Sequence, residues 1–264
     1  MKMSKNNIIY ILVIVILYMV LNLTVFHGTA LFQMMIIEVA LLIVALSPIG
    51  EAFLRLVYGV KSVQRRKDKE YLLPIFEEVT GNNTKIKLYI DKSMMINAYA
   101  IGRNTIVVTK GSIEILRENQ IKGLIAHELG HIIHGDTLIP LILIVGNMFM
   151  LIAFIAIKMI EIIMAITDNI MNENNIISSI IKIILDIGMF LVVQLIQILV
   201  LINQRQNEYK ADDFAYTLGY GDDLLEVLYI LDSIDLGGKV SVIDRLKSSH
   251  PHVGERIQRL EEKK

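Results

Sequence analysis

Apolar and polar positions divide this chain into four long hydrophobic runs, with charged stretches between the second and third and after the fourth. Residues 8–26 carry no charge, and only Asn22 and Thr24 interrupt the run. Residues 31–49 follow a short His27-Gly28-Thr29-Ala30 connection and contain one charge, Glu38. Residues 138–157 are uncharged, with Asn147 the main polar residue; residues 183–202 hold Asp186, Gln194 and Gln197 just after Lys182. A bilayer core takes about 20 mostly apolar helical residues, so all four runs read as membrane spans. The first is longer than the apolar region of a cleaved signal and lacks a small-x-small site, which favours a retained span. The fourth also fits a buried amphipathic helix.

The other stretches pattern as a water-facing domain. Residues 62–79 are charged and helix-like, and Lys85-Ile86-Lys87-Leu88-Tyr89-Ile90 alternates as a half-buried strand does. Asn97-Ala98-Tyr99-Ala100-Ile101-Gly102 and Asn104-Thr105-Ile106-Val107-Val108-Thr109 read as paired strands around a Gly102-Arg103-Asn104 turn. Helix then starts at Gly111, and Arg117-Glu118-Asn119-Gln120 leads into another. The expected architecture is a mainly α integral membrane protein with four transmembrane helices and a cytoplasmic α+β domain containing a small β-meander. It divides into a hairpin at 8–49, a first cytoplasmic part at 56–137, a second hairpin at 138–202 and a second cytoplasmic part at 203–264.

Charge sets the orientation. Lys2 and Lys5 precede the first run, while Arg55, Lys61, Arg65, Arg66, Lys67 and Lys69 follow the second and Arg205 and Lys210 the fourth. Residues 159–179 hold Glu161, Asp168 and Glu173 but no Lys or Arg. Cations concentrate on the cytoplasmic side, so both termini and the charged stretches are expected there, in a multi-pass protein of the plasma membrane. Packing between helices and snorkelling account for Glu38, Asp186 and Lys182 better than a polar pathway does. Composition agrees with lipid solvation, at 54% hydrophobic residues and a mean hydropathy of +0.54 across 264 residues. A net charge of -1 gives no sign of nucleic-acid binding, and the absence of cysteine excludes disulfides and Cys-ligated zinc.

Chemistry concentrates in Leu124-Ile125-Ala126-His127-Glu128-Leu129-Gly130-His131. Two histidines one helical turn apart offer both imidazoles to one metal ion, and Glu128 is placed to act on a water there. This is the zinc-metallopeptidase helix motif, which points to a hydrolase, and the charged stretches are expected to form a zincin-like metalloprotease domain with one Zn2+ per subunit. A catalytic zinc takes three protein ligands, and Glu208 is the best third candidate, directly after the fourth run. Asp212, one turn on, suits the free ring N–H of a ligand histidine, although both carboxylates also fit a solvated helix face. His134 rivals Glu208 by proximity, but one turn past His131 it should point away and serve as a surface or cap residue. A strand edge near this helix is a natural place for an extended peptide to add.

The chain resembles the HtpX-like family of membrane-bound zinc metalloproteases, relatives of the CAAX prenyl endopeptidases. The resemblance rests on Asn97-Ala98-Tyr99-Ala100, on His127-Glu128-Leu129-Gly130-His131 followed by Gly135-Asp136, on Glu208-Tyr209-Lys210-Ala211-Asp212, and on Ser249-His250-Pro251-His252 with Arg256-Ile257. It implies His127, His131 and Glu208 as zinc ligands, Glu128 as the proton-transferring residue and Asp212 as a ligand's partner. It also implies that Asn97, Ala98, Tyr99 and Ala100 hold substrate backbone and that His250 approaches the substrate or the developing oxyanion, or else caps and packs. Peptide or membrane-protein substrates and the lipid bilayer are the expected partners, with cytoplasmically exposed, misfolded segments as targets. The alternatives are a prenyl-protein endopeptidase, whose known members are longer, and a non-catalytic metal-binding membrane scaffold, which an intact Glu128 disfavours.

Overall fold

A computed structural model describes residues 29–139, 141–142, 206–235 and 253–263, with isolated positions between 8 and 19 and at 188, 191 and 195. Helix α1, Thr29–Ala45, is followed by α2, Pro48–Val57. The uninterrupted span expected at 31–49 is therefore corrected to two helices. Pro48 disfavours helix at the residue before it and suits the first turn of a new one. Ser47 is extended (φ -88°, ψ 167°), and its hydroxyl accepts from the Ile49 amide at 3.2 Å. Gly50 lets the two helices meet, since a Cβ there would lie 2.2 Å from the Ala45 carbonyl oxygen. Among the described residues no helix is long and apolar enough to cross a membrane. The runs at 8–26, 138–157 and 183–202 lie largely outside those residues.

Strand β1, Lys61–Ser62, precedes helix α3, Arg66–Thr80, which ends where Gly81 takes the left-handed conformation (φ 62°). Three strands follow: β2, Lys87–Asp91; β3, Ala98–Ile101; and β4, Thr105–Thr109. The sheet order is β1-β2-β4-β3. β2 and β4 are parallel (Lys87 opposite Thr105), while β3 and β4 are antiparallel (Ala98 opposite Val108). This overturns the expected meander, in which each strand would neighbour the next. Burial explains the order: all five residues of β4 are buried, so it takes the centre, while half-buried β3 suits an edge.

The two faces of the sheet pack against different helices. Leu88, Ala98, Ile106 and Val108 face the main core, with Leu72, Ile75 and Phe76 of α3. Ile101 and Val107 face the other way, onto Leu54 of α2 and onto Leu138 and Leu141. After the short helix α4, Lys110–Ile115, comes the long helix α5, Glu118–His134, which Gly135 terminates at φ 73°. Helix α6 covers residues 206–217, and α7, Gly221–Asp235, and α8, Val253–Glu261, complete the described elements. Ile121, Leu124, Ile125 and Leu129 of α5 join Leu224 and Leu228 of α7 in the core, so α5 is embedded between sheet and helices. Two glycines permit this. A Cβ on Gly123 would lie 2.5 Å from the Leu224 backbone nitrogen, and one on Gly130 would lie 3.0 Å from Ala211 Cα.

Candidate metal centre and cleft

One turn of α5 brings His127 and His131 together, ring centroids 4.8 Å apart and planes nearly perpendicular. The close approach of α6 at Gly130 brings in Glu208. His127 Nε2 and His131 Nε2 are 3.2 Å apart, and Glu208 Oε2 and Oε1 lie 3.3 Å and 3.4 Å from them respectively. Among the described residues these three form the group able to hold a metal ion. The edge of a tetrahedron around zinc, with bonds of 2.0–2.1 Å, is about 3.3 Å, so the donors already have the separation that zinc requires.

The far side of each imidazole is also held. Asp212 Oδ1 lies 2.9 Å from His127 Nδ1, and Asp136 Oδ2 lies 3.3 Å from His131 Nδ1. A carboxylate at Nδ1 fixes the tautomer that presents Nε2 as a lone-pair donor. Arg256 of α8 grips Asp212 with two hydrogen bonds, Nε to Oδ2 at 2.9 Å and Nη2 to Oδ1 at 2.6 Å. Its Nη1 reaches Glu208 Oε2 at 3.1 Å. Glu128, Glu208, Asp212, Asp136 and Arg256 are all buried, so the centre gathers four carboxylates and one guanidinium, an acidic excess suited to a dication.

Without a metal, the histidines are drawn toward their protonated forms. At His127 burial is the largest influence and, with Arg256, opposes protonation, but hydrogen bonds to Asp212 and Glu208 outweigh both and raise the pKa. At His131 burial again opposes, and hydrogen bonds to Asp136 and Glu208 push the pKa well above the ordinary value. Burial would raise Asp212, yet Arg256 and His127 hold it below the usual carboxylate range. Burial would also weaken protonation of Arg256, but Asp212 and Glu208 raise its pKa further.

The centre opens onto a cleft of about 510 Å³ lined by Glu128, His131 and Glu208 together with Asn97, Ala98, Tyr99 and Ala100. Asn97 is anchored through its backbone: its N–H donates to Ser112 Oγ at 2.8 Å and its carbonyl accepts from the Thr109 N–H at 3.1 Å. Tyr99 donates to Asp91 at 2.8 Å, and burial followed by that bond raises its phenol pKa. The structure thus brings His127, Glu128, His131, Glu208 and Asp212 together beside the strand read as substrate-binding. His250 lies outside the described residues. His134 is half-buried with its ring 5.9 Å from Phe214, outside the donor triangle.

Sequence reasoning assigned no role to Asp136 or Arg256. Asp136 follows the left-handed Gly135, where the chain leaves the helix, and a search at helical period stops short of it. Arg256 is 44 residues beyond Asp212 and has no local signal; its motif carried a resemblance but no role.

Two helical histidines, a carboxylate from a neighbouring helix and a glutamate beside the first histidine define the class of mononuclear, hydrolase-type metal centres. The family model for peptidase family M48 matches residues 65–264, and the chain belongs to that family. It is 29% identical over 206 residues to a protease HtpX homologue of Campylobacter concisus, covering 67% of this chain and 68% of that one. A homologue from Campylobacter hominis is 30% identical over 202 residues, covering 66% and 68%. Ste24p of S. mikatae shares the fold, with a TM-score of 0.53 at 17% identity; the match covers 87% of this chain and 58% of Ste24p.

Proposed function

We propose that this chain is a membrane-bound, zinc-dependent endopeptidase acting on cytoplasmically exposed segments of membrane proteins, misfolded ones included. The observation that carries the reading is the buried triangle of His127, His131 and Glu208, at zinc-ligand spacing on a cleft that an edge strand also lines. The apolar runs and their flanking cations support a membrane location, with the site and both termini in the cytoplasm.

His127 Nε2, His131 Nε2 and the Glu208 carboxylate would hold the metal. When bound, zinc supplies Lewis-acid polarisation of the scissile carbonyl and lowers the pKa of water. The edge of β3 takes the substrate backbone in extended form, by hydrogen bonds that do not depend on side-chain identity. Glu128 accepts a proton as water adds to the carbonyl carbon and returns it to the amide nitrogen as the C–N bond breaks, leaving an acid and an amine. Asp212 and Asp136 keep the imidazoles oriented throughout. The resemblance to HtpX-like proteases assigns His250 to the substrate or to the developing oxyanion.

Zinc content measured alongside casein cleavage tests the reading. The wild-type chain and Glu128→Gln should each bind one zinc, with cleavage by the variant falling at least about 100-fold. A zinc-free, inactive wild type or normal turnover by the variant would overturn it.

A further inference from the structure

Asn207 immediately precedes Glu208 on α6 and lines the same cleft as Glu128, His131 and β3, yet only 2% of its surface is exposed. Its side-chain oxygen Oδ1 is buried and accepts no hydrogen bond among the described residues. Folded proteins pair nearly all such groups, and exceptions at a cleft point to a ligand that supplies the missing donor. An extended peptide added to β3 would satisfy only half of its own backbone polar groups there, because alternate N–H and C=O groups point to opposite sides of a strand. The others would face away from β3. Asn207 shares the cleft but lies on α6, apart from the sheet.

We infer that Asn207 is a substrate-binding residue, its Oδ1 accepting a main-chain N–H that β3 leaves unpaired. The substrate is then held on both of its edges, by the strand on one and by Asn207 on the other. The clamp reads main chain and not side chain, which suits an enzyme that accepts any extended segment. Because Asn207 adjoins Glu208, it also fixes the clamp relative to the metal. The inference rests on the peptidase reading above.

A double-mutant cycle across the peptide main chain tests it. The background is the full-length, zinc-loaded Glu128→Gln chain in detergent, which should hold peptide without cleaving it. Binding is measured by fluorescence anisotropy for a short casein-derived peptide and for a series in which one backbone N–H at a time is replaced by an ester oxygen. With Asn207 present, one ester position should weaken binding about tenfold beyond its effect in Asn207→Ala and in the near-isosteric Asn207→Leu. Zinc content should stay at one per chain in both variants, separating loss of the clamp from loss of the fold. Equal ester effects in all three proteins at every position would overturn the assignment while leaving the peptidase reading intact. A wild-type chain that binds no zinc and cleaves no casein would overturn that reading, and the clamp with it.

Discussion

Replacing Arg256 by methionine separates its structural role from any role in the metal centre. The guanidinium is buried, donates twice to Asp212 and once approaches Glu208, so its removal leaves two buried carboxylates with only the imidazoles of His127 and His131 to offset them. Breaking a buried pair of this kind costs about 3–5 kcal/mol, because the surviving charge stays desolvated. Methionine roughly preserves volume, so the loss is electrostatic more than a matter of packing. For a domain of roughly 150–250 residues that corresponds to a fall in Tm on the order of 10 °C. The size of the effect should depend on zinc. Bound zinc neutralises Glu208, and loss of the guanidinium removes a positive charge near the ion, so the zinc-loaded variant should recover part of the deficit. The gap between metal-free and zinc-loaded melting temperatures should therefore widen relative to wild type. The assay is thermal unfolding of the full-length chain in detergent, with chelator and with zinc. A metal-free variant melting within about 2 °C of wild type would show that the pair carries little net stability. An unchanged gap would show that Arg256 and the metal do not share Glu208.

Four further outcomes follow from the structure. Gly123→Ala should destabilise the chain by about 1–3 kcal/mol despite the better helix propensity of alanine, because its Cβ would meet the α7 backbone at 2.5 Å, whereas Gly130→Ala should displace α6 slightly and lower zinc affinity more than stability; equal zinc affinity in wild type and Gly130→Ala would refute the second half. The raised pKa values of His127 and His131 mean that these rings stabilise the metal-free fold fully below pH 6.5, with that contribution lost as pH rises through their folded-state values. Zinc needs both rings neutral, so its affinity should climb with pH over the same window and its binding should release protons, measured by calorimetry in buffers of different ionisation enthalpy. Zinc affinity that does not change between about pH 6 and 8 would contradict this.

The helix carrying His127, Glu128 and His131 was legible because its information is local. A four-residue spacing sets two side chains one above the other wherever a helix forms, and the apolar positions around it ensure that one does. The strands were legible for a similar reason: alternation in 85–90 and the turn at Gly102 survive in β2 and in the β3–β4 pair. Strand order was not. The meander expectation assumed that neighbours in sequence become neighbours in space, but β4, buried on both faces, is placed between β2 and β3 by its surroundings. The break at Pro48 is also local, since a proline after serine is a start signal for a new helix, but the apolar run continues across it and masks the signal.

By itself, then, the sequence determined which residues could hold a metal: two histidines locked together by helical period, and a short menu of carboxylates. The choice within that menu belongs to tertiary structure. Glu208 joins the centre because Gly130 lets α6 approach α5, and Asp136 joins because the chain turns back at Gly135. Arg256 arrives from α8 and is retained by Asp212 and Glu208, two buried acidic groups whose charge it balances together with the imidazoles of His127 and His131. Local periodicity can be read along one strand of sequence. A charge balance among buried groups from four segments exists only once the fold has excluded water from between them.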